Sequence, residues 1–282
     1  MNHLKEADLA WNWYVLRNGR RLYRKLSKKA LPRIESGRFG GRDLMSLTET
    51  NEYLAKSIDS GVPFFAGRFG AYEFQYTYIP IVRERLKINI ELSSKIIAGG
   101  KNCGFYPVDN DSITRFSDLM IWATKQANFV AQTNLDLLSW YLKEYLPSDR
   151  VIAPFRALDF YRFDHPFTRA LEGKRVLVVH PFAESIRHQY QQRRLLFPSS
   201  DILPEFELLT IKAVQTIAGN RDPHFATWFE ALDYMTEECE KSDFDVAVIG
   251  CGAYGFPLAA RIKNMGKTAL HLGGVTQIMF GV

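Results

Sequence analysis

The hydrophobic pattern changes period repeatedly along the chain. Arg175-Val176-Leu177-Val178-Val179-His180 and Asp245-Val246-Ala247-Val248-Ile249 are continuous, β-branched apolar runs. Runs of that kind predict strands buried on both faces. Shorter runs at Pro63–Ala66, Asn128–Gln132, Val151–Ala153, Phe206–Ile211 and Thr268–Leu272 predict further strands. Between them the period lengthens to that of helices. The pattern predicts helices over Ser46–Ser60, stopped by Gly61, and over Ala71–Leu86, 113–126 and Leu135–Leu146, the last stopped by Pro147. Two more are predicted at Trp228–Lys241 and at Phe256–Met265, the second stopped by Gly266. Strand, helix, strand at this spacing predicts an α/β fold with a mostly parallel sheet, built from Rossmann-like βαβ units flanked by helices.

Composition adds scale. The chain has 282 residues, 46% hydrophobic and 24% charged, an ordinary globular balance. The net charge of +5 is unevenly spread. Residues 1–42 carry eleven Lys and Arg against Glu6, Asp8 and Glu35. The basicity therefore belongs to an N-terminal extension rather than to the whole surface. Leu9, Trp13, Leu16, Leu22, Tyr23 and Leu26 give residues 5–30 an amphipathic, helical character. Such a segment suits either packing on the main domain or an anionic membrane surface. No recognised nucleic-acid motif accompanies it, so nucleic acid is not an expected partner. Gly37, Gly40 and Gly41 read as a linker. The chain is thus divided into 1–42, a basic helical extension and linker, and 43–282, the α/β domain, with halves at 43–150 and 151–282. Residues 1–30 lack a signal-type apolar stretch and no run of ~18 apolar residues occurs. The expected location is cytoplasmic, peripheral on the inner face of the membrane. Cys103, Cys239 and Cys251 have no metal-site or disulfide spacing.

Ligands of open parallel sheets bind beyond the carboxyl ends of the strands, so the turns there carry the candidate chemistry. Gly250-Cys251-Gly252-Ala253-Tyr254-Gly255 follows a strand and opens a helix, the context in which glycines let a backbone approach a phosphate. No acid stands at the end of the next strand, which closes on His271-Leu272-Gly273-Gly274. That speaks against ordinary NAD binding and leaves a Rossmann-type oxidoreductase as the weaker alternative. A turn needed only for helix–sheet packing is the other reading. His180-Pro181-Phe182-Ala183-Glu184-Ser185 offers an imidazole and a Pro-led helix start with free backbone amides; a structural histidine is the alternative. Gly67-Arg68-Phe69-Gly70-Ala71-Tyr72-Glu73 offers a guanidinium fork for phosphate or carboxylate, or else a structural Arg68–Glu73 ion pair. Asn102–Pro107 and the carboxylates of Glu205 and Glu207 are weaker candidates, Glu205 as a general base if it faces the cleft.

At these motifs the chain resembles glycosyltransferases of the GT-D type fold. Gly67–Glu73 is similar to their R-[FY]-G-D-G-E segment, and the resemblance continues through Lys174–Phe182 and Gly250–Gly274. It implies transfer of a sugar from a nucleotide-sugar donor to a cell-surface polysaccharide or lipid-linked acceptor. It implies donor contacts at Gly67, Arg68, Phe69, Gly70, His180, Pro181, Phe182, Ser185, Gly250, Gly252, Tyr254, Gly255 and His271, with Glu73 or Glu205 as base. The family's Asp-x-Glu pair serves Mn2+ or Mg2+, with Glu73 as the matching ligand. Ala71 replaces the Asp, which puts the metal in question and admits a non-catalytic, nucleotide-sugar-binding partner protein of the same fold.

Overall fold

The computed structural model describes residues 38–282 apart from 40, 88–89, 134, 136 and 199–200. The expected amphipathic helix of residues 5–30 lies outside them. Strands β3 (Phe64–Arg68), β4 (Phe129–Gln132), β5 (Val151–Pro154), β6 (Arg175–His180), β7 (Glu207–Lys212), β8 (Val246–Ile249) and β9 (Thr268–His271) form one sheet. Its order is β5-β4-β3-β9-β8-β6-β7, and every neighbouring pair is parallel. The two halves expected from the sequence interlock in this sheet, since β9 of the second sits between β3 of the first and β8.

Successive side chains alternate between two apolar layers, as the pleat requires. Phe65, Val130, Val179, Ile249 and Ala269 point into one layer. Helices α2 (Ala71–Leu86), α4 (Asn110–Gln126), α5 (Leu138–Tyr145), α8 (Trp228–Glu240) and α9 (Gly255–Asn264) cover it. Phe64, Phe129, Val178, Val248 and Leu270 point into the other. That layer is covered by α1 (Leu47–Asp59), three 3-10 turns between Phe155 and Leu171, α6 (Ala183–Gln191), the short α7 (Arg193–Leu196) and α10 (Val275–Phe280). The central strands are buried throughout, which is why they read as unbroken apolar runs. β7, at the edge, is only partly buried and ends on charged Glu207 and Lys212, as edges need to be to resist pairing with another chain.

Local chemistry sets the element ends. Ser46 caps α1 in a reciprocal box: its hydroxyl accepts from the Glu49 amide at 3.3 Å while the Glu49 carboxylate accepts from the Ser46 amide at 3.0 Å. Gly61 follows with φ +65. Helix α3 (Ser94–Cys103) was not expected from the pattern, and it ends on Gly104 at φ +79. Where a linker was expected, strands β1 (Arg38–Phe39) and β2 (Arg42–Asp43) form an antiparallel pair. It is docked rather than free. Phe39 is buried, and Arg42 donates to the carbonyls of Leu146, Pro147 and Arg150. Among the described residues no helix is long and apolar enough to cross a membrane. All three cysteines are free thiols.

Candidate functional site

The chain leaves β3 and β8 toward the first layer, into α2 and α9. It leaves β6 and β9 toward the second, into α6 and α10. Neighbouring strands that send their connections to opposite faces open a crevice at their carboxyl ends. Here that crevice runs from β6 through β8 and β9 to β3.

Arg68 ends β3. Its side chain is only 11% exposed, and its guanidinium lies 3.7 Å from a carboxylate oxygen of Asp159. The same guanidinium sits over the Phe155 ring, 4.4 Å from the centroid. Nη1 has no hydrogen-bond partner although it is buried. Burial lowers the Arg68 pKa, and the Asp159 charge opposes that shift. Asp159 also accepts from Arg162 Nε at 3.1 Å. Two guanidinium groups therefore share one carboxylate, and the cluster keeps a surplus positive charge. The structural ion pair considered for Arg68 exists, but with Asp159 rather than Glu73.

His271 ends β9 and is buried, with Nδ1 unpaired. Burial, helped by the Arg68 charge, lowers its pKa to about 3. His180 ends β6. Its Nδ1 accepts from the Phe182 amide at 3.1 Å, so the neutral ring carries its proton on Nε2. Burial lowers its pKa to about 4. Both imidazoles are neutral near pH 7 and offer hydrogen bonds without charge. One strand beyond Arg68, at the end of β4, Gln132 Oε1 and Thr133 Oγ1 are also buried without partners. Buried polar atoms are ordinarily satisfied. A concentration of unpaired ones at the ends of β3, β4 and β9 marks this edge as built to receive polar groups.

The glycines do two different jobs. At Gly250 a Cβ would stand 2.7 Å from His180 Cδ2 and 2.8 Å from Thr276 Cβ. At Gly255 it would collide with the His271 ring, and at Gly67 it would press on Phe65, Phe256 and His271. These three let the strand ends close up. Gly252 and Gly273 instead adopt φ +61 and +62. Gly252 is exposed and Gly274 has open space above its Cα, while a Cβ built on Gly273 would stand 3.5 Å from Arg68 Nη2. A glycine turn thus lies beside the buried cation, its Gly273 amide donating to the Ile249 carbonyl at 3.2 Å.

Several expected contacts lie elsewhere. Tyr254 is buried, stacked on Trp228 at 4.8 Å, and its hydroxyl pairs with Thr216 at 2.9 Å; face and hydroxyl are both taken. Phe69 is buried and stacked on Phe256 at 4.3 Å, so it belongs to the core. Gly70 is the N-cap of α2, with the Glu73 carboxyl folded against it. Burial raises the Glu73 pKa. Phe182 and Ser185 are exposed and Pro181 is partly so, at the mouth next to His180. Glu205 sits at the opposite, amino end of the sheet, where its carbonyl accepts from Gly173 and its carboxylate pairs with Arg193 at 2.9 Å. That position is remote from the crevice and does not suit a base there.

A divalent cation held by the protein does not fit this donor set. Ala71 supplies no oxygen beside Glu73, which leaves a single carboxylate at this turn. No group of three His, Cys, Asp or Glu side chains converges among the described residues. Hard cations ask for several oxygen ligands.

No family model matches the sequence, and no curated protein matches it. Two solved structures are similar over 85% of this chain and 82% of theirs, each with a TM-score of 0.47. One, 12% identical, is described as a selenomethionine-substituted structure of domain of unknown function 1792. The other, 13% identical, is described by the statement that the highly conserved domain of unknown function 1792 has a distinct glycosyltransferase fold. Residue roles in this chain rest on the crevice itself.

Proposed function

We propose that the protein is a glycosyltransferase that moves a sugar from a nucleotide-sugar donor to a saccharide or lipid-linked acceptor. The observation that carries this reading is Arg68: a buried, incompletely paired guanidinium beside the Gly273-Gly274 turn, at the switch point of a parallel sheet. In sugar transfer the acceptor oxygen bonds to the anomeric carbon while the bond from that carbon to the diphosphate oxygen breaks. Negative charge grows on the leaving diphosphate. A preorganised cation stabilises that charge most where water is excluded. His180 and His271, both neutral, suit sugar or ribose hydroxyls. Glu73, with its pKa raised by burial, is the base that takes the acceptor proton. Raised carboxyl pKa values bring such a base nearer its working pH.

Thermal shift tests the donor. At 100 times its Kd, a nucleotide adds about 2.7 kcal/mol of stability, which moves Tm by roughly 5–10 °C in a domain of this size. Uridine diphosphate and its sugar conjugates are expected to give such a shift, and NAD none. Absence of any shift and any turnover across a panel of nucleotide sugars, with and without manganese, would overturn the reading. Ala71 favours one alternative, a non-catalytic binding partner of the same fold. It predicts nucleotide binding without turnover and no functional loss in Glu73→Ala. The basic segment 1–30 is proposed to hold the protein at the cytoplasmic face of an anionic membrane. Sedimentation with anionic vesicles, lost when residues 1–30 are deleted, is the expected result.

A further inference from the structure

A second cavity, of about 140 Å³, lies between the end of α3 and the turn after β7. Pockets for nucleotide-sized ligands run to roughly 300 Å³ and more, so this one has room for about one sugar unit. Phe105, Tyr106 and Thr216 line it, and Lys101, Asn220 and Arg221 stand around them.

Three features separate it from an ordinary surface groove. First, the turn that closes it holds Ala218 at φ 62 and Gly219 at φ 80. A left-handed alanine is a strained residue that persists only where its surroundings fix it. Thr216 does the fixing. Its hydroxyl donates to the Gly104 carbonyl at 2.6 Å and meets the Tyr254 hydroxyl at 2.9 Å, both buried. Second, the Lys101 stem lies along Gly219, its Cδ 3.6 Å from where a Cβ would stand, and the Arg221 guanidinium is 5.3 Å from the Tyr106 ring centroid. Two cations are thereby set around one aromatic floor. Third, neither cation forms an ion pair among the described residues. The adjacent Asp222 is taken by His224 at 2.6 Å. The cavity also touches the crevice through shared residues: Thr216 bonds Tyr254 of the glycine turn, and the Cys103 carbonyl lies 3.8 Å from a Cβ built on Gly252.

We propose that this cavity binds the anionic group of an acidic sugar unit, a carboxylate or phosphate ester held by Lys101 and Arg221 while the sugar packs on Tyr106. As an acceptor subsite it rests on the glycosyltransferase reading; as an acidic-sugar site it stands on the cavity alone.

Calorimetric titration of the full chain with glucuronate, glucose 6-phosphate, inorganic phosphate and neutral glucose tests it. Charge-assisted bonds predict that the preferred acidic sugar binds at least about tenfold tighter than glucose. The Lys101→Gln/Arg221→Gln variant is expected to lose that preference by a similar factor. Both side chains are exposed, and an unchanged Tm verifies the fold. Uridine diphosphate affinity should be the same in both proteins. Unchanged acidic-sugar binding in the variant, or none in the parent chain, overturns the proposal. Phosphate binding as tightly as glucose 6-phosphate, with no glucuronate binding, overturns the sugar assignment. If acidic sugars bind and uridine diphosphate does not, the cavity stands and the donor reading falls; the reverse outcome overturns the cavity alone.

Discussion

Arg68 is held by one carboxylate that it shares and by one aromatic face, and each can be removed separately. Arg68→Lys keeps the charge but loses the planar fork and the stack on Phe155. Uridine diphosphate binding should weaken at least about tenfold, as expected where a guanidinium is used for its geometry. Asp159→Asn acts the other way. It leaves a buried cation uncompensated and should lower stability by roughly 3–5 kcal/mol in urea denaturation without ligand. Saturating nucleotide should recover part of that deficit. The histidines predict a pH dependence. Their folded pKa values, about 4 for His180 and about 3 for His271, lie below the ordinary 6.5. Between those values and 6.5 the unfolded chain binds more protons, so stability is full above pH 6.5 and falls as pH drops toward 3–4. The slope is up to about 1.4 kcal/mol per pH unit for each histidine. His271→Asn should flatten the profile by about one proton's worth, read from denaturant midpoints between pH 4 and 7. Of these residues, Arg68, His180 and His271 were legible because each ends an apolar run. Phe155 and Asp159 were not, because Phe155 lies in a 3-10 turn and Asp159 links it to the next, a stretch with no apolar period to mark them.

At the scale of elements, the strand–turn–helix unit β8–α9 was readable, yet the sequence motif mixed two kinds of residue. Gly252 presents backbone, whereas Gly255 and Tyr254 serve packing. The packing role of Gly255 is testable because its obstruction is one side chain. Gly255→Ala drives a methyl into the His271 ring and should cost roughly 1–3 kcal/mol as overpacking does. In the Gly255→Ala/His271→Ala pair much of that penalty should vanish, giving a coupling energy well above the ~0.5 kcal/mol scatter of independent sites. Additive losses would mean that the turn is constrained by something other than this contact. Glu205 shows the limit of reading elements without their direction. It borders a strand in sequence, but at the amino end, and only the parallel register Arg175↔Glu207 reveals which end that is. Helix α3 went unseen because its middle, Ala98-Gly99-Gly100, weakens the helical signal. Those glycines are needed there: a Cβ at Gly99 would press on Tyr72 and one at Gly100 on Val108.

For the whole molecule, alternating strand and helix signals were enough to give the α/β class and the parallel sheet. They could not give the strand order, because pairing partners are set by long-range packing rather than local pattern. That order has a consequence for how the site comes into being. β3 is the first strand of the sheet and β9 the last, yet Phe64 pairs with Thr268 and Ala66 with Leu270, about two hundred residues apart. Contacts that distant slow folding, and domains emerge from synthesis from the N-terminus onward. A nascent chain exposes Arg68 long before His271 and Gly273 arrive to wall the crevice. Until then β3 and β8 both present unpaired apolar edges in the middle of the sheet, the kind of surface that templates aggregation. Insertion of β9 is therefore the step at which this chain becomes able to bind and ceases to be sticky, so substitutions that weaken β9 should reduce soluble yield before they reduce the affinity of the protein that does fold.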